Sequence, residues 1–209
     1  MSIIAKDPNL VNTPPGWAVC DEALSKYTPP SAMGFVCAAG DLNRFWSRYR
    51  VAKSIRQIVL DSYTAETVAG YSALFQVFLA YSAFEQFMDC CGLNLSGMEP
   101  LLPPYNPAEC EAAIRHIEKY AEFLAVVLEH LDREGHRTQL QAFLAAEPCN
   151  VLYVAAGIRH IFAHGKLTPN SGAGFTAPAQ EVSRILSEFL FRVMDGEFAG
   201  RLRAHGYKV

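Results

Sequence analysis

The sequence lacks the features that mark secreted proteins, zinc-binding proteins and proteins whose whole surface is basic enough to bind nucleic acid. Its six cysteines form no Cys-x-x-Cys pair, so neither a zinc ribbon nor a disulfide framework is indicated, and free thiols are expected. The first residues carry no basic segment followed by an apolar one, so no secretory signal is expected and a cytoplasmic protein is predicted. A net charge of −3 argues against a surface coated with basic charge, although a local basic cleft remains compatible with it.

Alternation of apolar and polar residues at period two is also missing, and no internal repeat is found. Apolar residues recur instead at three- and four-residue steps, as in helices with one buried face. No charged residue occurs between Thr67 and Phe84, which is long enough to raise the question of a membrane span. The run contains Gly70, Gln76 and Tyr81 and lies among amphipathic helices, which favours a central helix of a bundle and no membrane span.

The pattern predicts an all-α bundle of about five main helices with a proline-rich N-terminal arm. The arm covers residues 1–40, where Trp17 and Phe35 are expected to pack on the bundle, and the helical domain covers residues 41–209. Gly and Pro residues mark a loop at 92–107, and residues 132–136 are expected to form a polar turn. The main helices are predicted at about 41–62, 65–91, 108–131, 150–164 and 178–203, with a short one at about 138–146.

The first of these helices is predicted to have an apolar face and a basic face. Its apolar stripe is predicted from Val51, Ala52, Ile55, Ile58 and Val59. Three basic residues, Lys53 among them, then fall on the opposite face, which we interpret as solvated.

The stretch from Asn150 to Gly165 carries the chemistry of the chain. Asn150 is a good N-cap and Gly165 a good residue for the position after the helix, so both ends of one helix are marked. Arg159 flanks the apolar stripe of this helix, whereas His160 and His164 lie on the opposite face. Tyr153 and Gly157 lie on that same face. Three cationic or titratable side chains therefore lie outside the apolar stripe within two turns of the helix.

These residue types suit cleavage of RNA by its own 2′-hydroxyl. That reaction needs a base, an acid and positive charge on the phosphate, and histidine titrates near neutral pH while arginine is always charged. Arg159, His160 and His164 supply these groups without a set of metal ligands. On a regular helix Arg159 and His164 point well apart, which favours a site that one chain alone does not close.

Arg159, a polar residue, three more residues and His164 resemble the arginine-x4-6-histidine motif of the HEPN superfamily. That family consists of all-helical bundles, many of which are dimeric, metal-independent ribonucleases without a cofactor. The resemblance implies that Arg159 binds the scissile phosphate and that His164 transfers protons. His160 occupies the polar position of the motif, where asparagine is more common, and would assist by hydrogen bonding.

The resemblance also implies partners. Two motif helices would meet in a homodimer, and Gly157 would let the partner helix approach closely. Glu85 is either solvated near the end of its helix or pairs with Arg159 or a histidine and orients it, as an acidic residue often does in HEPN-like proteins, and Tyr153 is a further supporting residue. RNA is the expected substrate, and a nucleotidyltransferase-like antitoxin is a possible partner. The roles of a toxin, a defence effector and a housekeeping nuclease stay open.

Two other functions remain open at the level of the sequence. Some HEPN-like domains bind nucleotides or proteins without catalysis, and cations near a helix C-terminus are favoured by the helix dipole alone. A metal hydrolase using His160 and His164 is a third interpretation, but no Glu lies between the histidines and no third ligand is obvious. No metal is therefore predicted.

Overall fold

The computed structural model describes residues 12–169 and 174–209, and within these ranges the regular structure is entirely helical. The predicted all-α class is confirmed. The bounds of the helices differ from the predicted ones in several places, and those differences determine what surrounds the motif. The helices are α1 (Trp17–Ser25), α2 (Ala39–Ser54), α3 (Ala65–Cys91), α4 (Leu95–Met98), α5 (Pro107–Arg115), α6 (Tyr120–Glu129), α7 (Glu134–Leu144), α8 (Leu152–Ala163) and α9 (Thr176–Ala204).

Helix α3 is the centre of the bundle and packs against α2, α8 and α9. The Thr64 hydroxyl accepts a hydrogen bond from the Thr67 N–H at 3.2 Å, which caps the first turn, and Gly92 ends the helix with a φ of 69°. By length and composition α3 could cross a bilayer. Of its most apolar 18-residue window, 61% is buried inside the protein, as in a core helix.

Helix α2 is shorter than predicted, because it ends at Ser54 and the chain continues in an extended conformation. The predicted stripe was wrong in part: Val51 is 53% exposed and Val59 is 91% exposed. Beyond the helix, the Ile58 N–H donates to the Ser72 hydroxyl of α3 at 3.1 Å, so this segment binds α3 without being helical. The buried side chains of α2 are Leu42, Phe45, Tyr49 and Ala52.

Lys53 is not on a freely solvated face, so that interpretation was wrong. Its Nζ lies 2.9 Å from Asp195 Oδ2 on α9 and contacts the Tyr49 hydroxyl, which also binds Asp195. The pair is about one-third exposed and links α2 to α9.

The predicted helix at 108–131 is two helices. The chain turns at Lys119, which has a φ of 61°, and α6 then packs against α7, α8 and α9. Helix α7 begins at Glu134, four residues earlier than predicted, so His136 lies in the first turn of a helix and not in a polar turn. Since α7 packs against α8, this shift brings His136 next to the motif helix.

The N-terminal segment packs on the bundle through aromatic side chains. Trp17 stacks on Trp46 of α2 with ring centroids 5.2 Å apart and planes inclined by 7°. Trp17 and Phe35 are both buried in the same core as α3 and α9. Residues 1–11 of the predicted arm lie outside the described residues, as do residues 170–173 of the loop that follows the motif helix.

The six cysteines are free thiols, as the sequence predicts. Four of them, Cys20, Cys90, Cys91 and Cys110, are buried. Burial raises the pKa of Cys20 and of Cys91 to about 12, so these thiols are protonated at neutral pH and behave as small apolar groups.

Candidate active site

The residues that the sequence marks lie beside both ends of helix α8, although its N-cap is Val151 and not the predicted Asn150. The Asn150 side chain accepts a hydrogen bond from the Leu152 N–H at 3.0 Å. At the other end Gly165 adopts a φ of 68°, and the Lys166 N–H closes the turn on the Ile161 carbonyl at 3.1 Å. The motif therefore occupies the last turns of a well-capped helix.

One face of α8 forms the wall of a cleft of about 510 Å³. The opposite wall is α3, and the rims are the chain around α4 and the start of α7. The residues that line the cleft are Arg48, Tyr81, Glu85, Met88, Asp89, Leu93, Asn94, Leu95, Ser96, Arg133, His136, Tyr153, Ala156, Arg159 and His160. The cleft is thus lined from five helices of one chain, because Arg48 on α2 belongs to the lining as well.

Arg159 is held by Glu85 across the cleft. Arg159 Nη2 donates to Glu85 Oε2 at 2.8 Å, and the two side chains are 29% and 39% exposed. The guanidinium also lies 5.9 Å from the centroid of the Phe78 ring. Burial raises the pKa of Glu85, and the positive charge of Arg159 opposes that rise. Glu85 therefore pairs with Arg159, one of the partners that the sequence suggests for it.

The Nε atom of Arg159 is buried and has no hydrogen-bond partner among residues 12–169 and 174–209. A guanidinium carries five N–H donors, and only one of them is used by Glu85 in this pair. The donors left over by Glu85 are on the Nη atoms of a side chain that is 29% exposed, and these are the groups of Arg159 that an anion in the cleft can contact.

The two histidines of the motif occupy different positions. His160 lines the cleft, whereas His164 is exposed at the end of α8, outside the cleft lining. Their rings contact each other with centroids 4.5 Å apart. Burial lowers the pKa of His160, with further lowering by His164, Arg133 and Arg159. His160 and Arg159 are therefore brought to one cleft, and His164 is not.

His136 is a site residue that the sequence analysis missed. It lines the same cleft as His160, and its ring packs edge-on against Tyr153, with centroids 5.3 Å apart. Its Nδ1 atom is buried and has no hydrogen-bond partner within the described residues. Burial lowers the pKa of His136, and the charges of Arg133 and His160 lower it further. No spacing rule connects residue 136 to the motif, because only the packing of α7 on α8 brings them together.

The charge around the cleft is mixed, with basic groups in excess. Arg48 and Arg133 join Arg159, whereas Glu85 and Asp89 are the two carboxylates of the lining. Glu85 neutralises part of the charge of Arg159, and the other two basic residues of the lining, Arg48 and Arg133, are exposed at its rims. This distribution suits a phosphate held at the centre and a longer anionic chain along the rim.

Gly157 does not provide a surface for a partner helix, so that interpretation was wrong. The residue is buried, and a Cβ atom added there would lie 3.0 Å from Leu131 Cδ1 and 3.6 Å from Val127 Cγ1. The missing side chain therefore makes room for the end of α6 in the same chain. A helical face periodicity cannot distinguish contact with another helix of the same chain from contact with a second chain.

No group of three or more His, Cys, Asp or Glu side chains among the described residues is arranged to hold a metal ion. Comparisons with protein-family models, with curated proteins and with solved structures find no match for this chain. A function must therefore be inferred from the side chains of the cleft and their chemistry.

Proposed function

We propose that the protein is a metal-independent endoribonuclease of HEPN type whose active site is the cleft between α3 and α8. The observation that carries the proposal is that Arg159 and His160 line the same open cleft, with Arg159 held in place by Glu85. A fixed cation and a titratable imidazole are two of the three groups that phosphodiester cleavage by a neighbouring hydroxyl uses, the third being a second proton-transfer group.

Arg159 is proposed to bind the scissile phosphate. One of its Nη groups is bonded to Glu85, which orients the fork, and the other donors stay free to contact a phosphate oxygen. A guanidinium so held needs little reorganisation when negative charge increases in the transition state. Arg48 and Arg133 at the rims would contact neighbouring phosphates of a single-stranded RNA.

The proposed reaction is an in-line displacement at phosphorus. A neutral histidine takes the proton of the 2′-hydroxyl, and the 2′-oxygen forms a bond to phosphorus. The bond from phosphorus to the 5′-oxygen breaks, and a protonated histidine gives that oxygen its proton. The products are a 2′,3′-cyclic phosphate and a 5′-hydroxyl, without any metal or cofactor.

The positions of the motif histidines support a different division of roles from that implied by the family motif. The resemblance gives proton transfer to His164 and an assisting role to His160. Because His160 lines the cleft beside Arg159 and His164 lies outside it, we assign proton transfer to His160. His164 acts through the ring contact at 4.5 Å, where its charge lowers the pKa of His160.

A homodimer and an antitoxin of nucleotidyltransferase type remain predictions that rest on the family resemblance. Gly157 no longer supports the dimer, since α6 of the same chain covers it. The exposed His164 at the end of α8 is the part of the motif that a second chain could still reach.

The experiment is cleavage of single-stranded RNAs in excess chelator, with analysis of the product ends. We expect cyclic phosphate ends from the wild type and a loss of about 10²–10⁴-fold in rate for His160→Ala. Arg159→Ala is expected to lose a comparable factor. The matched controls are His116→Ala and Arg184→Ala, because both residues are exposed on other parts of the protein. Wild-type protein that leaves varied RNAs intact would reject the proposal.

A binding module is the second candidate, because the Arg159–Glu85 pair is a complete structural contact without any substrate. RNA that is bound in a chelator-independent manner but recovered intact would favour this function. In that case Arg159→Ala is expected to weaken binding, and His160→Ala is expected to leave it nearly unchanged.

A further inference from the structure

Two histidines enter the cleft from different helices. His160 is in the last turns of α8, and His136 is in the first turn of α7, which packs against α8. Tyr153 on α8 supports the ring of His136 from one side. Both imidazoles and Arg159 therefore belong to the lining of one cavity in one chain.

We propose that His136 is the second proton-transfer residue of this cleft, so that His136 and His160 of the same chain act as the acid and base pair around a phosphate held by Arg159. This inference rests on the proposed ribonuclease function and names the second histidine that its reaction requires. The motif offers His164 for that part, but His164 lies outside the cleft.

The environment of the two rings favours a pair that holds one proton. Burial and Arg133 lower the pKa of His136, and His160 lowers it further, so a charge on His160 disfavours a charge on His136, whereas the imidazole that lowers the pKa of His160 is His164. Two interacting groups lose their protons in two separate steps, and between these steps one ring is neutral and the other is charged. The charged and titratable groups that line the cleft with the pair are Arg48, Tyr81, Glu85, Asp89, Arg133, Tyr153 and Arg159, and Asp132 and His164 act on His160 from outside that lining.

The free state of the His136 ring is consistent with this role. Its Nδ1 has no hydrogen-bond partner within residues 12–169 and 174–209, so no neighbouring side chain fixes the tautomer. A purely structural buried histidine usually donates to a carbonyl or carboxylate. During the reaction one ring takes the 2′-hydroxyl proton and the other gives its proton to the 5′-oxygen, so the pair ends with the same number of protons.

The first test is the pH dependence of RNA cleavage by His136→Phe and His136→Asn. His136→Phe keeps an aromatic ring against Tyr153, so it separates loss of the titrating group from loss of packing. We expect a bell-shaped profile for kcat in the wild type, and in both variants a loss of about 10²-fold or more together with one limb of the bell. His116→Asn is the control. Variants that keep the wild-type rate and both limbs would overturn the inference while leaving the ribonuclease function intact.

The second test does not depend on RNA. Proton NMR titration of the histidine ring signals, assigned by the single variants, is expected to show a higher pKa for His136 in His160→Asn than in the wild type. His164→Asn is the comparison and is expected to change His136 less. An unchanged pKa of His136 in His160→Asn would show that the two histidines are not coupled and would overturn the inference. A wild type inert towards RNA but with coupled titrations would instead reject the proposed function.

Discussion

Arg159 Nη2 on α8 and Glu85 Oε2 on α3 are 2.8 Å apart, and this bond joins the two walls of the cleft. The pair lies only partly out of solvent, so its contribution to the free energy of unfolding is expected to be at most about 1 kcal/mol. Its larger consequence is orientation, since one carboxylate sets the direction in which the remaining guanidinium donors point.

Replacing Glu85 by Gln is therefore expected to affect turnover more than stability. Without the carboxylate, Arg159 loses its fixed orientation, and kcat for RNA cleavage is expected to fall by about 10- to 100-fold. KM is expected to stay or fall, because the unpaired cation still attracts phosphate. Glu188→Gln, which breaks the exposed pair with Arg184, is the control. A Glu85→Gln enzyme with wild-type kcat would show that the pair does not orient Arg159.

Gly157 provides a test of packing within the chain. In Gly157→Ala the new Cβ would lie 3.0 Å from Leu131 Cδ1, and Gly157→Leu is expected to cost about 1–3 kcal/mol in the free energy of unfolding by overpacking. In Gly200→Ala nothing lies within 4 Å of the added Cβ, so this helical substitution is expected to stabilise by about 0.5–1 kcal/mol. Urea unfolding measures both. A Gly157→Leu protein of normal stability that no longer self-associates would restore the interpretation of an interface between chains.

The lowered pKa values of His136 and His160 predict a loss of stability on mild acidification. Above the unfolded-state value of about 6.5 both states are neutral and the rings contribute nothing. Below it the unfolded chain binds more protons than the folded one, so the free energy of unfolding falls as pH falls through this window. Urea midpoints between about pH 7.5 and 5.5 should therefore decrease less in His136→Phe than in the wild type.

The contribution of Glu85 to the free energy of unfolding changes in the opposite direction as pH falls. Its pKa is raised in the folded state, so its ionised form destabilises the protein, and this effect is relieved as pH falls towards the unfolded value. Glu85→Gln removes that compensation and is expected to steepen the loss on acidification. His116→Asn should leave the wild-type slope unchanged; a slope altered by this control would mean that other groups dominate the window.

A mixed-chain experiment tests whether the site is shared between subunits. Arg159→Ala and His160→Asn chains are mixed and assayed for RNA cleavage. Because both residues line the cleft of one chain, we expect no recovery of activity, even if sedimentation shows the predicted dimer. Recovery of a substantial part of the wild-type rate would mean that arginine from one chain acts with histidine from the other.

The sequence predicts best those elements whose ends are specified locally. Helix α3 has the predicted bounds, and α8 lies between Asn150 and Gly165 with its N-cap one residue later than predicted, because capping and left-handed backbone depend on neighbouring residues only. The all-α class follows from the three- and four-residue spacing of apolar residues over the whole chain. The sequence also indicates the Arg159–Glu85 pair, because a lone carboxylate close behind an apolar run is costly to bury without a partner.

Other features depend on contacts between distant parts of the chain. The turn at Lys119 has no glycine or proline to mark it, and α2 ends at Ser54 although apolar residues continue at helical spacing beyond it. His136 joins the site only because α7 starts early and packs on α8. Periodicity also could not tell which surface would cover Gly157, since burial by α6 and burial by a second chain require the same residue.

The parallel stack of Trp17 on Trp46 allows attachment of the N-terminal segment to the bundle to be monitored separately from the cleft. These are the only two tryptophans of the sequence, and neither of them lines the cleft. Closely stacked indoles couple their electronic transitions, so the stack should give a circular dichroism signal that vanishes when α1 leaves α2. Intrinsic fluorescence and this signal would then follow detachment of the segment in the same sample in which RNA cleavage reports on the cleft.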